Sequence, residues 1–166
     1  ISNKMTTERK DYNEIEVNSF EDLNLKENLL RGIYGYGYEK PSVIQQKAIL
    51  PVIDGHDVIA QAQSGTGKTA TFSIGMLQNI DETQDEIQAL ILAHTRELAL
   101  QISTVIKNIS SYMNLRYNLC VGGTLIRDNI DELLKNPQII IGTPGRVLDM
   151  INKKALNTRN LKILII

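Results

Sequence analysis

Ala62-Gln63-Ser64-Gly65-Thr66-Gly67-Lys68-Thr69 is the stretch of this chain best suited to hold a phosphate. Glycines at 65 and 67 permit positive φ and let the backbone come close to an anion. The amides of such a loop, and of a helix starting directly after it, point at the ligand with a favourable dipole. Lys68 supplies an ammonium for β- and γ-phosphates, and the Thr69 hydroxyl supplies a ligand for Mg²⁺. The general pattern G-x-x-x-x-G-K-[ST] is met except at its first position, where Ala62 stands in place of glycine. An apolar run, Val58-Ile59-Ala60, precedes the loop, and a helix-like segment, Ala70 to Asn79, follows it. Strand, loop and helix in that order separate a phosphate loop from a chance pair of glycines.

Four more stretches carry residue types suited to binding. In Gly37-Tyr38-Glu39-Lys40-Pro41-Ser42-Val43-Ile44-Gln45, Pro41 biases Lys40 toward extended backbone. Ser42 and Gln45 have the spacing of a capping box, which gives Gln45 a structural reason to be there. Its amide can also pair bidentately with the N6/N7 edge of adenine. Thr95-Arg96, Gly122-Gly123 and Thr143-Pro144-Gly145-Arg146 each follow an apolar run. Thr143 reads as an N-cap and Pro144 as the first helical residue. Taken singly, each is no more than a turn or a capped helix. His56 reads as a turn residue, and Cys120, inside an apolar run, as a buried thiol.

The segments between these stretches must position them. Leu25, Leu29, Leu30, Ile33 and Tyr34 lie at helical spacing, with Gly35 and Gly37 closing that helix. A second helix runs from Ile44 to about Asp54, and Pro51 predicts a kink or break in it. Strands are expected at 58–60, 88–93, 117–121, 138–141 and 161–166. Helices are expected from Leu98 to Met113, from Ile126 to Lys135, and after Thr143. Continuous apolar strands alternating with helices predict an α/β domain with a parallel sheet covered on both faces. Ligands sit at the carboxyl ends of such strands, so the motif loops should share one edge.

The 166 residues suggest one domain, over 20–166, behind a flexible polar leader at 1–19. No apolar run approaches the ~18 residues of a membrane span, so no membrane partner is expected. A single cysteine fits a reducing compartment. Net charge is −1, but it is unevenly spread. From Lys107 onward nine Lys/Arg face four Asp/Glu, whereas before it nine face fifteen. A positive second half suits a polyanion, although a scattered solvated surface would show the same count.

Together these motifs resemble the first RecA-like domain of the DEAD-box RNA helicases. The loop from Ala62 to Thr69 carries that family's alanine. Gly37 to Gln45 resembles its adenine-reading motif, with Phe20 as the upstream aromatic. Thr95-Arg96-Glu97-Leu98, Gly122-Gly123 and Thr143-Pro144-Gly145-Arg146 resemble its RNA-contacting motifs, in the family's order. Leu29 to Tyr34 and Thr71 to Ile74 look most like the translation initiation factor 4A group, with its nuclear exon-junction paralogue nearly as good a match.

The resemblance implies a P-loop NTPase domain of RecA-like fold that ends before the Asp-Glu-Ala-Asp motif and lacks the second RecA-like domain. ATP and Mg²⁺ are its implied cofactors. Phe20 would pack on the adenine, Lys40 would line the pocket, and residues 62–69 would hold the phosphates, with Lys68 and Thr69 catalytic. Thr95, Arg96, Gly122, Gly123 and Thr143 to Arg146 would grip RNA phosphates, helped by helix N-termini. Such contacts position a strand without reading its sequence. The implied activity is RNA-dependent ATP hydrolysis and unwinding of short RNA duplexes by a monomer. The setting would be translation initiation in the cytoplasm, alongside other initiation-factor or RNA-processing proteins. The 166 residues alone are expected to hydrolyse little, since metal placement and water positioning need further groups. Two other readings remain open: a nuclear ATP-dependent RNA clamp, and a P-loop NTPase that does not act on RNA. His94 stands where the family has proline, and a substituted turn residue is the simplest account of it.

Overall fold

The computed structural model describes residues 11–12 and 15–166. Four short apolar runs form its sheet: Ala89–Leu92 (β1), Tyr117–Cys120 (β2), Ile139–Gly142 (β3) and Ile163–Ile165 (β4). All pair in parallel, in the order β2-β3-β1-β4. Leu90 lies opposite Ile140 and Ile91 opposite Ile141. The helices are α1 (Glu27–Gly35), α2 (Val43–Ile53), α3 (Lys68–Asn79), α4 (Arg96–Ile109), α5 (Ile126–Leu133) and α6 (Pro144–Asn152). The fold is the RecA-like α/β arrangement expected from the motifs.

Side chains alternate across a strand, and here both faces are apolar. Ile139, Ile141 and Ile91 join Leu29 and Ile33 of α1, Ile49 of α2, Ile74 and Leu77 of α3, and Ile102 and Ile106 of α4 on one side. Ile140, Leu90 and Cys120 meet Leu133 of α5 and Val147 and Met150 of α6 on the other. Burial of this kind, at roughly 25 cal/mol per Å² of apolar surface, is what holds three- and four-residue strands together.

One expected strand is absent. Val58-Ile59-Ala60 does not join the sheet, and Ile59 is fully exposed. A cavity of about 880 Å³, lined by Val58, Ala60, Phe72, Ile163 and Ile165 among others, separates this run from β4. An apolar run becomes a strand only with an open edge about 4.8 Å away. Period and composition reveal the run but not its distance to an edge. Pro51 also departs from expectation. α2 continues through it to Ile53, because the proline falls in the last turn, where only one or two further residues depend on regular geometry. The leader expected over 1–19 falls mainly outside the described residues. Within it, Val17 is buried and Ile15 packs on the core, so packing begins ahead of Phe20.

Burial pushes the Cys120 thiol up to about 11. A thiol that loses its proton so late in the folded state leaves the unfolded chain to ionise first. Stability is therefore present below about pH 9 and lost as pH rises from there through 11. At pH 8 the native protein should leave an aromatic disulfide reagent uncoloured over minutes, whereas urea should release one thiol equivalent at once. Fast reaction of the native protein would contradict the buried placement.

Candidate functional site

Gly67 is the N-cap of α3 and has φ 91°, while Gly65 has φ 79°. Both values fall where a side chain is strained. Gly67 has a second constraint, since a Cβ there would lie 2.7 Å from Gln45 Nε2. Positive φ at both glycines turns the loop directly into the N-terminus of the twelve-residue α3, where free amides and the helix dipole favour an anion. Thr66 Oγ1 donates to the Gln63 carbonyl at 2.8 Å, tightening the turn. Lys68 Nζ donates back to the carbonyls of Ala62 (2.5 Å) and Gln63 (2.7 Å). Thr69 follows as the second residue of α3, half-buried.

The capping box expected at Ser42 and Gln45 is present, the Ser42 amide donating to Gln45 Oε1 at 2.8 Å. It also does more than cap. Ser42 Oγ donates to the Thr66 carbonyl at 2.8 Å, and Gln45 Nε2 reaches the Gly67 carbonyl at 3.5 Å. Gln45 is only 2% exposed. The start of α2 and the phosphate loop are therefore one hydrogen-bonded unit. Lys40 lies exposed just before it. Phe20, expected to pack on the adenine, is wholly buried in this structure, its ring covered by protein. It backs Tyr38 instead, with ring centroids 6.4 Å apart. The residue is apolar and follows a polar segment, and only the packed core decides which of its faces stay open.

The second set of residues gathers beyond the ends of β1, β2 and β3. Thr95 caps α4, its Oγ1 accepting the Leu98 amide at 3.1 Å. Arg96 lies across Gly123, where a Cβ would sit 2.8 Å from Arg96 Nη1 and where φ is 83°. Thr143 occupies the N-cap position of α6 with Pro144 at its first turn, but the Thr143 side chain makes no capping bond. The first amides of α6 are left to another acceptor. Arg146 does not stand free: its guanidinium donates to Thr124 Oγ1 (3.0 Å), the Thr124 carbonyl (2.9 Å) and Asn129 Oδ1. The loop after β2 thereby meets Arg96 at Gly123 and Arg146 at Thr124. His94 is exposed at the end of β1.

A family model described as DEAD/DEAH box helicase matches residues 42–166, well over half of the chain and every candidate site residue above except Phe20 and Lys40. The chain belongs to the DEAD/DEAH box helicases. It is 60% identical over 150 residues to the ATP-dependent RNA helicase eIF4A of Chaetomium globosum, covering 90% of this chain. It is 53% identical over 167 residues to the ATP-dependent RNA helicase FAL1 of Scheffersomyces stipitis, covering all of it. The chain spans 38% and 42% of the lengths of these two relatives. Among solved structures it resembles a DEAD box protein from the hyperthermophile Methanococcus jannaschii (TM-score 0.85, 41% identity, 90% of this chain and 41% of that one). It also resembles S. cerevisiae Dbp5 bound to RNA and ADP BeF3 (TM-score 0.79, 38% identity, 89% and 37%).

Sequence reasoning missed three residues of this helicase domain. The Ser42 hydroxyl was read only as a cap, yet it spans to the phosphate loop. Thr124 and Asn129 were not singled out. Asn129 had a legible signal: it lies three residues after Ile126 and four before Leu133, on the apolar stripe of α5, and an amide there needs a partner. Among the described residues no helix is long and apolar enough to cross a membrane, and no three His, Cys, Asp or Glu side chains are grouped to hold a metal.

Proposed function

We propose that the full-length protein is an RNA-dependent ATPase that unwinds short RNA duplexes, of the initiation-factor 4A type. The observation that carries this reading is one hydrogen-bonded unit linking Ser42 and Gln45 to the phosphate loop, whose Lys68 and Thr69 line one cavity with His94, two residues before Arg96. Adenine recognition, phosphate binding and a cationic edge then share one rigid platform. The name shared by several relatives, eIF4A at 57–60% identity, supports a setting in translation initiation, and the reading adds action as a monomer in the cytoplasm beside other initiation factors.

The residues present fit a nucleoside triphosphate, because the positive-φ turns at 65 and 67 fold the loop backbone ahead of α3, with open space at Gly65 and the Lys68 ammonium within the loop. Lys68, Thr69 and the amides of 63–69 would hold the phosphates, and Gln45 with Lys40 the adenine end. The Thr69 hydroxyl is the ligand this chain offers to Mg²⁺. When bound, ATP and Mg²⁺ supply the phosphoryl group and the charge that stabilises its transfer. Lys68 now holds two neutral carbonyls, and an anionic phosphate is the stronger partner for an ammonium. Ser42 Oγ on the Thr66 carbonyl and Gln45 Nε2 at the Gly67 carbonyl would hold the loop to α2 while Lys68 turns to a phosphate. At the other edge, Thr95, Gly122 to Thr124 and Thr143 to Arg146 would hold RNA by sugar and phosphate.

ATP turnover of the full-length protein, measured without polymer, with single-stranded RNA and with single-stranded DNA, tests this. Strong stimulation by RNA and not by DNA is the expected result. Turnover indifferent to RNA would reduce the reading to a nucleotide-binding P-loop domain.

A further inference from the structure

Asn129 sits on α5 and is 5% exposed, yet its side chain is committed to neighbours from three elements. Nδ2 donates to the Leu119 carbonyl of β2 at 3.4 Å. Oδ1 accepts from Arg146 Nη1 on α6 and lies 3.4 Å from Thr124 Oγ1, in the loop after β2. Among the described residues Arg146 in turn bonds only to neutral acceptors: Thr124 Oγ1, the Thr124 carbonyl and the Asn129 amide. The one carboxylate near it on α6, Asp149, is bound by Lys153 Nζ at 2.7 Å.

This leaves Arg146 ordered but not neutralised. Both Thr124 oxygens meet the end of the guanidinium, one at Nη1 and one at Nη2. Nε–H and the remaining Nη2–H lie on the other edge, and neither has a partner among the described residues. That edge matches the two oxygens of a phosphate in a bidentate pair. A guanidinium whose rotamer is already paid for by neutral bonds keeps its full charge for the ligand.

We propose that Asn129 is a positioning residue that aims Arg146 as an un-neutralised phosphate receptor at the RNA edge. The proposal rests on the RNA reading above. A carboxylate at 129 would have the same shape and would hold Arg146 as well or better. It would also cancel the charge.

The test uses the full-length protein with a non-hydrolysable ATP analogue and fluorescent single-stranded RNA, titrated across a salt series. Asn129→Asp should bind several-fold more weakly at low salt, and its log K against log salt should be shallower by about 0.7, one phosphate contact. Its melting temperature should equal or exceed the native value. In an Arg146→Ala background, Asn129→Asp should have little further effect. Native-like affinity and slope in Asn129→Asp would overturn the proposal. RNA-independent behaviour of the unsubstituted protein would instead overturn the RNA reading itself. A variant-free measurement covers poor folding of Asn129→Asp: the Arg146 Nε–H resonance of the native protein should shift on adding RNA, and an unmoved resonance would overturn the proposal.

Discussion

Lys68→Ala in the full-length protein is expected to lower RNA-stimulated ATP turnover by at least about a hundredfold. Removal of one preorganised donor from a transferring or developing anion typically costs about 10²–10³ in rate. Lys68 is the ammonium at the first position of α3, held against the Ala62 and Gln63 carbonyls at the mouth of the loop. No other lysine or arginine lies within residues 48–95, so no neighbour in the loop can replace it. The side chain is half-buried and its loss opens no core cavity, so thermal unfolding should change little. Turnover within about threefold of the native value would remove Lys68 from the phosphate site and leave the loop without its assigned cation.

Gly32→Ala is expected to destabilise the domain by about 3 kcal/mol or more, against the usual direction for a helix interior. Alanine in place of an exposed helical glycine normally gains about 0.5–1 kcal/mol. Here α1 crosses α4 so closely that a Cβ at residue 32 would sit 1.8 Å from the Ile109 carbonyl oxygen and 2.8 Å from its carbon. Those are backbone atoms at the end of α4 and cannot swing aside as a side chain would. The helices must separate, uncovering Leu29, Ile33, Ile106 and Ile109, all fully buried. Overpacking costs about 1–3 kcal/mol when side chains can adjust, and more when backbone must move. At about 2–4 °C per kcal/mol for a domain of this size, thermal unfolding should drop by roughly 6–12 °C. Gly35→Ala on the same helix is the control. Its Cβ would meet only the Tyr112 ring at 3.5 Å, and it should be neutral or slightly stabilising. Equal behaviour of the two variants would show that α1 and α4 do not pack this closely.

Local chemistry carried most of this protein into view from its residues alone. Two positive-φ glycines, a lysine and a threonine before a helix have few other uses, so the phosphate loop was legible without its partners. Apolar runs such as Ile139-Ile140-Ile141 announced strands buried on both faces, and the capping box at Ser42 depends only on a neighbour three residues away, whereas Thr143 holds the N-cap position of α6 without the expected bond. What depends on distance across the fold was not legible. Val58-Ile59-Ala60 has the composition of a strand, but pairing requires an edge within reach, and the cavity beside β4 lies between. Phe20 has the chemistry of a stacking ring, but the core covers it and leaves Tyr38 in front. Arg146 and Asn129, seventeen residues apart, became one device only when β2, α5 and α6 met. Residue types and spacing determined which groups this chain can use. Long-range packing decided which of them are exposed, which are held, and which keep their charge.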